Sequence, residues 1–442
     1  MRISNFRPDE RHALLLFSLI MFVNMLTLEA TFVMSTSGFL DSIGANQLPL
    51  LWIIDMGLIV VGTTIISAVI DRWPRKQFLS WIIFGLAFFY LFMRMLFSYG
   101  VPEWGSYPFL YMLAEQQVLV IPIVFWAMAN DIFSIQQTKR IFPLIAASGV
   151  IGGIVGNTLA ISLANYFGSR GRESYDLLFI NAVLLFLLFI AFQILSQRIP
   201  ASDRQSRADD TFQKMFADGW DFVRNVAVFR YLAIAMLGVG FVITMIEFNF
   251  LDVINANFQG SQFQSFFGLY RIGQTISIVL VQSLLASRLL NLVDLKRIFS
   301  FMSGASVLII LIVLFIPGVF ASALARLFGR TILFGIDEPA RKSLQGLIPD
   351  EKRGRVSSFL DGYLYAIGTI FGSLLLVLLF WVTGNGWLTL EGRNWAFLLT
   401  GGIVAFVSIW ATTKLWLSYD TSMLDWRLAR RKRRSSVLDM DF

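Results

Sequence analysis

The 442-residue sequence contains no cysteine and one histidine, and charged residues make up only 15% of it. Without cysteine the chain can form no disulfide and perform no thiol chemistry. With His12 alone, a histidine-ligated metal site is excluded. Soluble domains carry about 25% charged residues, whereas this chain is 56% hydrophobic and lacks the polar surface to cover a water-facing globule. The composition predicts an all-α membrane protein that needs no metal or other cofactor.

Long apolar runs dominate the sequence, and a helix needs about 20 apolar residues to cross the hydrocarbon core. Twelve segments qualify as spans: 12–35, 47–70, 78–99, 108–130, 141–167, 176–195, 229–253, 263–286, 298–317, 319–336, 356–383 and 396–417. They predict an N-terminal six-helix half (1–195), a cytoplasmic linker (196–228), a C-terminal six-helix half (229–417) and a basic tail (418–442). The first span lacks the short apolar region and cleavage site of a signal peptide, so we expect it to be retained.

Basic residues are distributed unevenly between the two ends of the spans. Of the 36 Lys and Arg residues, 29 fall on the side of both termini, and only Arg170, Arg172 and Arg393 lie in loops on the other side. Because basic loops stay in the cytoplasm, we expect a multi-pass protein of the cell inner (plasma) membrane with both termini cytoplasmic. The net charge of +7 then reflects the basic loops that orient the protein in the membrane. No basic face with interleaved aromatic residues supports nucleic-acid binding. The basic run 430–434 is either topogenic or a contact for anionic lipid.

The linker is the longest break in hydropathy. Within it Phe212, Phe216, Trp220 and Val223 recur at helical spacing. Such spacing is typical of an amphipathic helix on the membrane surface. The alternative is a plain linker in which the spacing arises by chance.

Ionisable residues interrupt several spans, although each costs about 2.5–3.5 kcal/mol to insert. They are Glu29, Asp55, Glu115 (followed by Gln116), Glu247, Arg271, Arg326 and Arg330. We expect the three arginines, Glu115 and Gln116 to bind a small-molecule substrate, and Glu29, Asp55 or Glu247 to bind a coupling proton. The alternative is that the acids and arginines form ion pairs that only hold helices together.

The two halves share weak internal similarity. The segments "TLEATF" (27–32) and "MIEFNF" (245–250) superpose Glu29 on Glu247 and Phe32 on Phe250. Segments 140–149 and 353–362 also share one spacing from Arg to Gly. These matches indicate a duplicated six-plus-six transporter.

Segment "GVIGGIVG" (149–156) in the fifth span carries four glycines. Small residues four apart let two membrane helices approach backbone to backbone. No strand precedes the segment and no Lys-Ser/Thr follows it, so a phosphate-binding loop is rejected. We expect a helix-packing role.

Segment "SAVIDRWPRK" (67–76) resembles the helix 2–3 signature of the major facilitator superfamily. Asp71, Arg72, Arg75 and Lys76 match it, while Ser67 and Pro74 replace its two glycines. The resemblance implies the twelve-helix major facilitator fold, with spans 1, 4, 7 and 10 lining a central cavity. It also implies that the four matching residues form a cytoplasmic gate.

Three further segments resemble the ATP/ADP translocase family of nucleotide transporters and its bacterial relatives. They are "FWAMANDIFSIQQTKR" (125–140), "FFGLYRIGQTISIVLVQSLLASRLL" (266–290) and "RTILFGIDEPARKSLQGLIPDEKRGRVSSFLDG" (330–362). The resemblance implies nucleotide transport, and Asp131 and Arg140 join the expected gate.

We therefore expect a secondary transporter that works by alternating access on a nucleotide or on another phosphorylated or organic anion. No lysine lies deep in a span, so only the arginines could neutralise phosphate. The acids suit a proton-coupled exporter of a non-nucleotide substrate equally well. A non-transporting scaffold or sensor is a further alternative, whereas an enzyme is not expected because the sequence shows no nucleophile–base arrangement.

Overall fold

The computed structural model describes residues 8–69, 73–168, 175–198, 212–286, 288–289, 293–316, 318–345, 348, 356–357 and 359–438. Within these ranges the regular elements are all helices. They are α1 (Pro8–Ser42), α2 (Leu48–Val69), α3 (Arg75–Ser98), α4 (Glu103–Ile132), α5 (Ile135–Gly168), α6 (Asp176–Leu195), α7 (Phe212–Asn225), α8 (Ala227–Asn257), α9 (Gly260–Val281), α10 (Leu295–Phe315), α11 (Val319–Ile332), α12 (Glu338–Gln345), α13 (Tyr365–Gly384) and α14 (Leu390–Leu438). A π-helical segment, Leu333–Asp337, joins α11 to α12, and others follow α9 and precede α13.

Eleven helical stretches among the described residues are long and apolar enough to cross a membrane. The all-α fold class is therefore confirmed. The predicted eighth span corresponds to α9, which is not among the eleven. Arg271 and Gln274 lie in the middle of α9 and lower its hydropathy.

Several helices are longer than the apolar runs that predicted them. Helix α1 covers Pro8–Ser42 rather than 12–35, and α14 covers Leu390–Leu438 rather than 396–417. Hydropathy marks only the stretch that can lie in lipid, whereas the backbone hydrogen-bond ladder continues into polar sequence. The basic tail thus continues the last helix as far as Leu438, and its contact with anionic lipid stays a prediction.

The linker contains a helix, α7. This agrees with the first of the two alternatives, an amphipathic helix. Val223 is buried, Trp220 is largely exposed, and Gly219 packs against Phe359. The helix therefore presents one side to the protein and an aromatic ring to its surroundings. The side chains at 212 and 216, and residues 199–211, lie outside the described part of the chain.

The chain divides into two compact units. Unit 1 comprises residues 1–210 and 251–276, and unit 2 comprises 211–250 and 277–442. Segment 251–276, which contains the end of α8 and most of α9, packs with the first six helices. The predicted halves had placed this segment with the C-terminal half.

In unit 1 the glycines of α5 bring that helix onto the backbone of α1. A Cβ atom added to Gly152 would overlap the carbonyl oxygen of Phe22, and one added to Gly156 would overlap that of Leu26. Only glycine permits this approach, in which two helix backbones touch without intervening side chains. The packing role expected for segment 149–156 agrees with this geometry.

Unit 2 uses the same device between α8 and α13. A Cβ atom at Gly368 would lie 2.7 Å from the carbonyl oxygen of Leu237, and one at Gly372 would lie 3.2 Å from that of Phe241. In both units, therefore, two glycines one turn apart rest on two carbonyls one turn apart. This contact supports the internal duplication predicted from sequence.

We expect Gly152→Ala to destabilise the protein by about 1–3 kcal/mol, the usual cost of overpacking, because the added methyl group meets rigid backbone. Gly57→Ala is the matched control, since a Cβ atom at Gly57 meets nothing within 4 Å and alanine is the better helix former. Thermal unfolding of the purified protein in detergent would compare the two. Equal melting temperatures for both variants would contradict the close contact between α1 and α5.

Candidate substrate and coupling sites

The buried acid of α1, Glu29, forms an ion pair with Arg271 of α9. The Arg271 guanidinium donates from Nε to Glu29 Oε2 at 2.6 Å and from Nη2 to Oε1 at 2.8 Å. Asn157 of α5 donates to the same Oε2 at 2.9 Å, and the guanidinium lies 4.8 Å from the Phe32 ring centroid. A two-point arrangement of this kind is the strongest form of side-chain ion pair. It ties three helices of unit 1 together.

The buried acid of α8, Glu247, is shared by two arginines of α11. Arg326 donates from Nε and Nη2 to its two oxygens, each at 2.7 Å, and Arg330 donates from Nη2 to Oε2 at 3.0 Å. The Arg326 guanidinium lies 4.5 Å from the Phe250 ring centroid. Two guanidiniums thus share one carboxylate in the interior of unit 2, so this three-residue cluster carries more positive than negative charge.

The two clusters repeat one local pattern. In each, both oxygens of a glutamate accept hydrogen bonds from one arginine guanidinium. The ring of the phenylalanine three residues after the glutamate lies against that guanidinium. Residues three apart lie on the same face of a helix. The sequence alignment had paired these residues but could not show which arginine each pair would hold.

Asp55 of α2 has a different environment. Its side chain is 1% exposed, and among the described residues no lysine or arginine forms an ion pair with it. Its neighbours on α4 are the acid Glu115 and the amide Gln116. Glu115 and Gln116, expected to bind substrate, therefore lie beside Asp55, an acid expected to bind a proton.

Gln117, the next residue along α4, belongs to a separate polar core. It is fully buried, donates to Asn24 Oδ1 at 2.9 Å and to Thr27 Oγ1 at 3.1 Å, and accepts a hydrogen bond from Tyr90. Successive helical residues are rotated by about 100°, so Gln117 faces α1 and α3 rather than Asp55. Sequence reasoning missed this network, although several polar residues inside apolar spans were a signal for it.

Charged residues also join helix ends within unit 1. Arg75 of α3 pairs with Asp131 of α4 at 2.7 Å, and Arg140 of α5 pairs with Glu10 of α1 at 3.0 Å. Lys76 donates to the backbone carbonyl of Ser196. These contacts bring four expected gate residues into ionic or polar links between helices. The other two, Asp71 and Arg72, lie outside the described residues.

Unit 2 has its own charged cluster at α12, which sequence reasoning did not single out. Arg341 pairs with Asp337 at 2.8 Å and with Asp361 at 3.0 Å, and Lys342 pairs with Asp361 at 2.6 Å. Gln345 donates to both oxygens of Asp361 at 2.9 Å. The available signal was the pair of acids followed by a pair of bases in "GIDEPARKS" (335–343).

A helical membrane protein built from two units with related internal contacts and buried charge is typical of secondary transporters. The model of the Major Facilitator Superfamily matches residues 13–372 of this chain. The chain belongs to that superfamily.

Known proteins similar to this chain include carriers of different solutes. ADP,ATP carrier protein 3 of Rickettsia felis is 26% identical over an alignment of 202 residues, and the match covers 38% of this chain and 39% of that protein's length. A variant of the nucleoside transporter NupG shares the fold with a TM-score of 0.65 and 14% identity, covering 91% of this chain and 99% of its own. A POT family transporter in complex with 5-aminolevulinic acid has a TM-score of 0.64 and 10% identity, covering 93% and 96%. The structural matches show the fold alone.

We expect Glu247→Gln to destabilise the protein by about 3–5 kcal/mol, because breaking a buried pair leaves the remaining charge uncompensated. Adding Arg326→Gln to that variant should recover part of the loss, which a double-mutant cycle of unfolding measurements would quantify. Asp420→Asn is the control, since its pair with Lys296 involves a 69% exposed side chain and should cost about 0–1 kcal/mol. Equal losses for Glu247→Gln and Asp420→Asn would refute the buried cluster.

Proposed function

We propose that this protein is a secondary transporter for a small solute with an anionic group, of the nucleotide or organic phosphate class, which it moves by alternating access. The observation that carries the proposal is the positive cluster of Glu247, Arg326 and Arg330. Similarity to an ADP,ATP carrier over part of the chain supports the nucleotide class. The uneven distribution of basic residues supports an inner-membrane location with both termini in the cytoplasm.

Arg330 is the residue that best suits an incoming anion. Arg326 already uses two nitrogens on Glu247 and is 4% exposed, whereas Arg330 contributes one hydrogen bond to Glu247 and is 21% exposed. A guanidinium fork matches the geometry of phosphate or carboxylate oxygens. Arg330 thus contacts the solute, while Arg326 holds Glu247 in place.

Asp55 serves as the proton site in this proposal. A buried carboxylate without a counter-charge is costly, whereas a protonated acid is neutral. The geometry thus favours Asp55 over Glu29 and Glu247, whose oxygens are already engaged by arginines. A bound proton at Asp55 and a bound anion at Arg330 together compensate interior charge, which favours the conformational change of the loaded carrier.

The scaffold alternative requires that the buried acids serve only as structural ion pairs. Glu29 and Glu247 fit that requirement. Asp55 does not, because its buried carboxylate has the acid Glu115 and the amide Gln116 as neighbours instead of a cation. The transporter proposal explains both kinds of acid.

We expect ATP, ADP or AMP to raise the melting temperature of the purified protein, because a ligand that binds only the folded state stabilises it. Arg330→Gln should abolish that shift while keeping the Arg326–Glu247 pair. Arg393→Gln, a second-unit arginine over the Phe380 ring, should keep it. Adenosine, which lacks phosphate, should give little shift. An unchanged nucleotide shift in Arg330→Gln would refute the anion site, and no shift with any nucleotide, phosphate or carboxylate would refute the substrate class.

Asp55→Asn should remove the effect of a pH gradient on solute accumulation in proteoliposomes. Exchange of labelled for unlabelled solute should persist, because it requires no net proton movement. Glu103→Gln, at an exposed position at the start of α4, should keep both activities. Accumulation in Asp55→Asn that still follows the pH gradient would place the coupling proton elsewhere.

A further inference from the structure

Segment 251–276 is unusual because it lies in unit 1, although the sequence repeat assigns α8 and α9 to the second half. Helix α9 begins at Gly260 in unit 1, and its residues from 277 onwards belong to unit 2. One continuous helix is therefore shared by the two units. The contacts made by the first half of α9 determine how firmly this half is bound to α1 and α5.

Those contacts form a ladder between α5 and α9. Ser265 donates to Asn165 Oδ1 at 3.0 Å. A Cβ atom at Gly268 would lie 2.7 Å from Ile161 Cγ1, so the helices are also close at the next level. The third level is Arg271, whose partner Glu29 also accepts a hydrogen bond from Asn157.

The spacing of the ladder shows that it follows one face of each helix. Its members on α5 are four residues apart (165, 161, 157), and those on α9 are three apart in the opposite direction (265, 268, 271). Residues three or four apart share a helix face. The antiparallel pair is thus joined by two polar levels and one glycine contact, and the same half of α9 also buries Phe263 and Phe267.

The two charged residues at the third level, Glu29 and Arg271, each have a further contact that does not cross between α9 and the other two helices. Glu29 of α1 is hydrogen bonded to Asn157 of α5, and the Arg271 guanidinium lies 5.7 Å from the ring centroid of Phe267 on its own helix. Separation of α9 would leave Glu29 with one hydrogen bond and Arg271 with one aromatic neighbour. The ion pair is therefore strong when formed and can still be broken.

We propose that the Glu29–Arg271 pair is a latch that closes the first half of α9 onto α1 and α5 and opens when the protein changes conformation. In the predicted orientation this latch lies between the bilayer centre and the outer surface. The need for such opening rests on the proposed transport function, whereas the opening itself can be measured without transport.

The absence of native cysteine makes a cross-linking test clean. Asn165→Cys and Ser265→Cys would place two thiols at the top of the ladder, where the present side-chain atoms are 3.0 Å apart. A protease site inserted between α6 and α7 separates them in sequence, so a disulfide keeps the two fragments together on a non-reducing gel. Gly273→Cys in place of Ser265→Cys is the negative control, because Gly273 is exposed and a Cβ atom there meets nothing within 4 Å.

We expect rapid cross-linking in the two-cysteine protein and cross-linking at least about fivefold slower after Glu29→Gln, as typical coupling energies imply. Arg271→Gln should have the same effect. Glu103→Gln should leave the rate unchanged. A water-soluble maleimide should label the single Ser265→Cys variant faster when Glu29 is neutralised. Unchanged cross-linking and labelling in both neutralised variants would overturn the latch.

A functional arm separates failure of the latch from failure of the transport proposal. Cross-linking of the 165/265 pair should stop solute exchange, and a reductant should restore it. Full exchange by the cross-linked protein would overturn the latch while leaving the transport proposal intact. If no solute is exchanged by any variant, the transport proposal fails, and the cross-linking and labelling rates still decide whether the latch opens.

Discussion

The contact on which the rest of unit 1 depends is the backbone approach of α5 to α1 at Gly152 and Gly156. At the shorter distance allowed by glycine, the face of α5 that follows these residues meets the face of α1 that carries Glu29. Gly153 leaves room for the Glu29 side chain, since a Cβ atom there would lie 3.3 Å from Glu29 Cγ. Asn157, one residue beyond Gly156, then reaches the carboxylate. Packing thus determines where the charge can lie.

The same arrangement in unit 2 holds a different ion pair. Gly368 and Gly372 of α13 bring α8 into a fixed position, and α8 presents Glu247 and Phe250 to α11. Unit 1 uses one arginine and an asparagine around its glutamate, whereas unit 2 uses two arginines. A duplicated framework has therefore diverged in charge, leaving one cluster balanced and the other positive. This difference is the reason we propose a holding role for Glu29 and anion binding for the unit 2 cluster.

The sequence predicted much of this fold, because hydropathy, basic-residue bias and glycine spacing are local signals. The helical class came from such signals, the superfamily from the resemblance of segment 67–76 to a known signature, and the alignment of Glu29 with Glu247 from a short sequence match. Partner choice could not be predicted, since Glu29 and Arg271 are 242 positions apart in the chain and no local pattern links them. Three consecutive polar residues of α4, 115–117, looked equivalent in sequence, yet only the structure shows that Gln117 faces a different neighbour. The roles of the predicted site residues remain predictions.

The buried polar groups of unit 1 offer a physical route between the proposed proton site at Asp55 and the proposed latch. Asp55 lies beside Gln116 of α4, and the next residue, Gln117, is hydrogen bonded to Asn24 and Thr27 of α1. Glu29 follows two residues after Thr27 on the same rigid helix. Energetic coupling in proteins is carried by such connected side chains and helices when they have two discrete arrangements. A change in charge at Asp55 that moves α4 would displace α1, and the ion pair of Glu29 would change with it.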